Sequence, residues 1–137
     1  MRYHNITQDD MNNGDGLRVV LWVAGCEHHC KGCQNPVTWN PDDGLVFNKR
    51  AFNEIMKAVQ KRFPKKTIWV YTGYTWEQIL ANKYLLAAVK YADVLVDGRF
   101  EEELKDVNYH WAGSTNQRVI DVQKSLQKGE VVLHESD

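Results

Sequence analysis

All three cysteines of this 137-residue chain, Cys26, Cys30 and Cys33, fall within the stretch GCEHHCKGC at residues 25–33. An odd, clustered set of thiols argues against a disulfide framework and for an intracellular metal or redox site. Three readings of the cluster are open. As buried small hydrophobes the thiols would sit oddly among Glu27, His28, His29 and Lys31. A structural zinc site would recruit His28 or His29 as the fourth ligand, but one short loop would then supply the whole tetrahedral shell. An iron–sulfur cluster would take the three thiolates and leave one iron with an open coordination position for a substrate or cofactor.

A loop of this kind needs elements to hold it. Asn12 to Gly16 (NNGDG) is turn chemistry, and it leads into LRVVLWVAG, an apolar run expected to be a buried strand ending at the cysteines. The following CQNPVTWNPDDG reads as loop, punctuated by Pro36, Pro41 and Gly44. From the N-cap candidate Asn48, the residues Phe52, Ile55, Met56, Val59 and Phe63 recur at helical spacing, and Pro64 stops the pattern. TIWVYTG (Thr67–Gly73) is rich in β-branched and aromatic residues and predicts a second strand. Thr75 and Gln78 form a capping box for a helix carrying Trp76, Ile79, Leu80, Tyr84, Ala87 and Ala88. ADVLVDG predicts a third strand, closed by Asp97-Gly98, and a short helix is expected near Asp121 to Gln127 before the final EVVLHE. Alternating strands and helices imply an α/β fold with a largely parallel sheet, whose chemistry gathers at the strand C-terminal ends. The cysteine loop, Thr72-Gly73 and Asp97-Gly98 all fall at such ends.

Composition sets bounds on partners. The length suits one domain, with residues 118–137 read as a C-terminal extension. A net charge of −1 gives no electrostatic case for nucleic acid or an anionic membrane. Apolar runs are too short to span a bilayer and the polar start carries no signal segment, so a cytoplasmic location is expected. Between Lys49 and Lys66 seven basic residues face one acid, Glu54. Such a run is usually a solvated helix face, and it also suits an acidic protein partner.

The C-x3-C-x2-C spacing resembles the signature of radical S-adenosylmethionine enzymes. More of the chain resembles one family within them, the anaerobic ribonucleoside-triphosphate reductase activating proteins. Asn13, Gly14, Gly16, Arg18, Asn35, Thr38 and Trp39 match that family's first block, with Asp15 where proline is usual. IWVYTGY, VLVDGRF and WAGSTNQR resemble its later blocks in order. The resemblance implies a shortened partial (β/α) barrel with a largely parallel sheet, and a [4Fe–4S] cluster on Cys26, Cys30 and Cys33. It also implies S-adenosyl-L-methionine as cofactor, cleaved reductively to form a glycyl radical on the large subunit of the anaerobic reductase. A low-potential donor such as flavodoxin would supply the electron. Carried over by position, Thr72, Gly73, Asp97, Arg99 and Asn116 would line the cofactor cleft. Trp111, Gly113, Ser114, Gln117 and Arg118 would join Asn116 in a loop at its edge. Asp97 also reads simply as a turn-making aspartate before Gly98, and the edge loop as a structural turn. His28 and His29 read as solvent-facing, and Trp39 as a shield for the cluster.

One family feature is missing. The Gly-Gly-(Glu/Asp) motif expected on the second strand does not occur, since the chain contains no Gly-Gly pair. The gap corresponds to about one strand–helix unit, on the order of 30 residues. Either the residues belong to a longer protein, or a deletion retains the cluster loop and weakens the cofactor site, or another group replaces the carboxylate.

Overall fold

Residues 1–62 and 65–135 are described by a computed structural model. They divide into two units, Met1–His29 with Cys33–Lys66, and Cys30–Gly32 with Thr67–Asp137. The first unit carries the apolar strand anticipated before the cysteines, β2 (Arg18–Val23), together with β1 (Arg2–Asp10) and β3 (Leu45–Val46). β1 is central and both neighbours run antiparallel to it, with Ile6 opposite Leu21 and Arg2 opposite Val46. The β1–β2 turn is set by Asp10, whose Oδ1 accepts from the backbone N–H groups of Asn12 and Asn13 at 2.9 and 3.0 Å. An aspartate closing its own turn in this way offers the backbone an alternative to continuing the ladder. Helix α1 (Lys49–Arg62) begins where expected: the Asn48 side chain accepts from Ala51 N–H at 3.1 Å. Ala51 and Ala58, two turns apart, are buried. The side chains of Phe52, Met56 and Val59, and the residues Phe63 and Pro64, lie outside the described part.

The second unit holds the larger described apolar core. Its sheet has the order β4 (Trp69–Tyr71), β5 (Val94–Asp97), β6 (Arg118–Asp121). β4 and β5 are parallel, and the chain crosses between them through α2 (Trp76–Leu80) and α3 (Lys83–Val89). The capping box of Thr75 and Gln78 is present, with both reciprocal bonds made. The single helix expected from Trp76 to Ala88 is two, because Asn82 leaves the helical region and caps a new start, accepting from Tyr84 and Leu85. Short polar side chains that bond neighbouring backbone favour such restarts. Trp76, Ile79, Val89, Ala92, Leu95, Ile120 and Val122 form one buried cluster under this sheet and its helices. α4 (Val122–Lys128) is capped by Asp121 at its start and by left-handed Gly129 (φ 74°) at its end. Ile120 is fully buried. Ile120→Ala is therefore expected to destabilise the protein by about 2–5 kcal/mol, read as a fall in the urea midpoint with an unchanged slope.

The expected partial (β/α) barrel with a largely parallel sheet is not what forms. One sheet is wholly antiparallel, and in the other a single parallel pair is joined by an antiparallel strand. Two strands absent from the sequence reading account for the difference. β1 is polar throughout most of its length (RYHNITQDD) and pairs with β2 as a hairpin, so β2 belongs to a different sheet from β4 and β5. β6 lies in what read as the end of a loop, yet it runs back along β5 with Leu95 opposite Ile120. A parallel crossover needs a dozen or more intervening residues, usually helical, whereas a hairpin needs only a turn. The NNGDG turn therefore favours the hairpin.

Candidate metal centre and cofactor site

The cysteine loop leaves β2 and is closed at its neck by one carbonyl. Thr38 O accepts from the N–H groups of both Gly25 and Cys26, at 2.8 and 2.9 Å. Gly25 stands at φ +98°, where a Cβ would also come within 3.2 Å of Pro41, so glycine is required there. Thr38 is itself tied to Asn35 O through its N–H and hydroxyl, and Trp39 N–H donates to Pro36 O. This tight Asn35–Trp39 turn fixes the indole of Trp39, which stacks on His29 with ring centres 4.6 Å apart and planes 9° from parallel. His29 adopts a left-handed backbone (φ 48°), a conformation that non-glycine residues hold at some cost.

The three thiols are free and half-buried. Asn35 N–H points to Cys33 Sγ at 3.4 Å, a bond that strengthens when the sulfur becomes a thiolate. Three thiols outside any disulfide, one of them beside the Asn35 N–H, are the donor types a thiolate-bound cluster takes. Among the described residues no three His, Cys, Asp or Glu side chains are gathered into a ready metal-binding group. The loop supplies the ligand types without holding them converged.

The residues assigned to a cofactor cleft lie in the second unit. Thr72 directly follows β4 and Asp97 ends the adjacent parallel strand β5; Thr72 N–H donates to Val96 O, and Gly98 N–H to Tyr74 O. The Thr72 hydroxyl accepts from Tyr74 N–H at 3.2 Å, fixing the turn through Gly73. Asp97 is buried, and its carboxylate accepts four bonds. Oδ1 receives Arg118 N–H (3.1 Å) and Nε–H (3.2 Å), while Oδ2 receives Trp76 N–H (2.8 Å) and Arg118 Nη2 (2.6 Å). Arg118 is directly across the β5–β6 ladder from Asp97, and its other guanidinium contacts go to Glu77, at 3.2 and 2.8 Å. Asp97 thus ties strand β5, strand β6 and the start of helix α2 together.

The WAGSTNQR segment is a self-bonded clasp. Gln117 Oε1 accepts from Gly113 and Ser114, and Gln117 Nε2 donates to Gly98 O. Ser114 Oγ donates to Asn116 Oδ1, and Asn116 Nδ2 donates to Arg99 O at 2.7 Å. Thr72, Gly73, Asp97, Arg99 and Asn116 are therefore brought to one end of the β4–β5 pair. Asn116 meets Arg99 through the backbone, and the Arg99 side chain is exposed. Glu77 was not legible as a partner in sequence, because its contact depends on a strand the sequence does not announce.

These charges have a pH signature. Hydrogen bonds from Arg118 hold the Glu77 carboxyl below its ordinary value of 4.5, and bonds to Asp97, then Glu77, push the Arg118 guanidinium above its own. A carboxylate with a depressed folded pKa stabilises the fold above the unfolded value and loses that contribution as pH falls through the folded one. Glu77 is well exposed, so the effect is screened and small, under about 1 kcal/mol. Glu77→Gln should leave stability at pH 7 nearly unchanged and flatten the loss below about pH 4.5, read from urea midpoints at pH 7 and pH 3.

Comparison with known proteins follows the same lines. The chain matches the family model described as a 4Fe-4S single cluster domain, over residues 12–61 and 43–120. The class is therefore that of single-cluster 4Fe-4S proteins. It is 35% identical to the anaerobic ribonucleoside-triphosphate reductase-activating protein of Enterobacteria phage T4, covering 87% of this chain and 93% of the relative. The protein of the same name from Escherichia coli is 34% identical, covering 87% and 97%. This chain belongs to the anaerobic ribonucleoside-triphosphate reductase-activating protein family. The alignment to the phage protein runs over 150 positions and takes in 87% of 137 residues, about 119. On the order of 30 positions thus lack a counterpart here, about one strand–helix unit. No solved structure matches. Among the described residues no helix is long and apolar enough to cross a membrane.

Proposed function

We propose that this protein is a cytoplasmic radical S-adenosylmethionine activase that generates a glycyl radical on the large subunit of an anaerobic ribonucleoside-triphosphate reductase. The observation that carries the reading is the neck-closed loop bearing Cys26, Cys30 and Cys33, free thiols within a chain of this family. Those three thiolates would hold a [4Fe–4S] cluster. When bound, the cluster and S-adenosyl-L-methionine supply an electron-driven cleavage that yields a hydrogen-abstracting radical. A low-potential donor such as flavodoxin would provide the electron.

The chain's own residues have narrower tasks. Thr72 and Gly73 would present the turn after β4 to the cofactor, and Arg99, exposed beside Gly98, would pair with its carboxylate. Asp97 and Asn116 would act by holding that turn and the Arg99 backbone, since their polar atoms are engaged within the protein. No side chain is required as a general acid or base.

A second reading is favoured by the missing Gly-Gly motif and by the occupied carboxylate of Asp97: an iron–sulfur or zinc protein that binds its partner without catalysis. Metal analysis after anaerobic reconstitution, followed by electron paramagnetic resonance of the reductase mixed with this chain, cofactor and reductant, separates the two. The activase reading expects iron and a glycyl radical signal. Zinc alone, or iron with no radical on the reductase, favours the binding module.

A further inference from the structure

We infer that the indole N–H of Trp39 donates a hydrogen bond to a sulfur of the cluster held by the cysteine loop. This rests on the three-cysteine cluster proposed above. Trp39 Nε1 is buried and has no acceptor among the described residues. Indole nitrogen is a donor only, and a buried donor left without an acceptor is unfavourable enough that native structures rarely keep one. Three carbonyls of the Thr38 turn are engaged elsewhere: Thr38 O by Gly25 and Cys26, Asn35 O by Thr38, and Pro36 O by Trp39's own backbone. His29 meets the indole face to face, which places its ring over the π-system and not in line with the N–H. Trp39 Nε1 lacks an acceptor among the described residues, and a cluster would bring anionic sulfur.

The ring is also held in place. Its backbone is pinned by the Asn35–Trp39 turn, and its face by His29. A second donor, Asn35 N–H, already addresses Cys33 Sγ. Hydrogen bonds to cluster sulfurs stabilise the more negative, reduced form and so raise the reduction potential. Trp39 is thus a positioning and tuning residue, with a readout that simple packing would not move.

Two measurements on the anaerobically reconstituted full chain test this. In the first, indole-15N-labelled wild-type protein is reduced and studied by pulsed electron paramagnetic resonance. A 15N coupling to the cluster is expected, and its absence in a cluster-bearing sample overturns the inference. In the second, Trp39→Phe keeps an aromatic face but removes the N–H. The reduced-to-oxidised ratio at fixed potential should fall about tenfold, a shift of about 59 mV for one electron, with iron content unchanged. An unchanged potential overturns the inference while leaving the cluster reading intact. If Trp39→Phe does not load iron, the labelled wild-type result decides. A wild-type chain that takes up no cluster removes both readings together.

Discussion

Changing Cys26, Cys30 or Cys33 singly to alanine is expected to abolish the visible chromophore and reduce bound iron to near background after anaerobic reconstitution. Residues that merely orient a metal ligand are worth about 10–100-fold in affinity, so loss of a ligand should exceed that. Each thiol is half-buried and outside any disulfide, and each would be one of three ligands, so the three variants should behave alike. His28→Ala and His29→Ala are the informative controls. A three-cysteine cluster with an open iron predicts that both retain iron. A closed Cys3His zinc shell predicts that one of them loses metal as completely as the cysteine variants. Inductively coupled plasma analysis beside the absorption spectrum checks this, since zinc contributes no visible band.

Asp97→Asn is expected to unfold the protein more readily than any other single polar change on the β4–β5–β6 sheet. Asparagine keeps the size but has one oxygen to offer where four donors converge on two. Its amide nitrogen must face either Trp76 N–H or the Arg118 guanidinium, and the charge that compensates a buried arginine contact is gone. Breaking a buried pair by removing one partner costs about 3–5 kcal/mol. The lower end applies here, because the Arg118 side chain is 34% exposed and keeps Glu77. For a chain of this size that is a fall in melting temperature of about 10 °C or more. Replacing both partners, as in Asp97→Leu with Arg118→Met, should cost less than the sum of the single changes, because no charge is left unpaired. Were Asp97 chiefly a cofactor ligand, Asp97→Asn would leave the melting temperature of the cofactor-free protein within a degree or two and weaken only cofactor binding.

That prediction also shows where the sequence is readable and where it stops. The cysteine loop, the Asn48 and Thr75 caps and the strand ending at Asp97 follow from local chemistry: side-chain oxygens bonding nearby N–H groups, and β-branched runs between turns. The sheets do not, because pairing depends on strands with no apolar signal. RYHNITQDD carries little alternation and RVID is four residues long, yet these two decide that the sheets are antiparallel and mixed. Missing β6 hid the most consequential polar contact as well. Asp97 and Arg118 are 21 residues apart and meet only because β5 and β6 pair in that register. The isolated aspartate looked available to a ligand; the folded one is already bonded at every lone pair. Trp39 is the converse case. Its sequence position suggested shielding, and only its geometry shows a buried N–H in need of an acceptor.

The central proposal is that this chain cleaves S-adenosylmethionine. The most direct measurement is chromatographic detection of 5′-deoxyadenosine after the reconstituted protein is incubated anaerobically with S-adenosylmethionine and a low-potential reductant, with Cys33→Ala as the blank. The proposed activity requires deoxyadenosine from the wild-type chain and none from the variant. A fully loaded cluster that yields no more deoxyadenosine than the variant would contradict it.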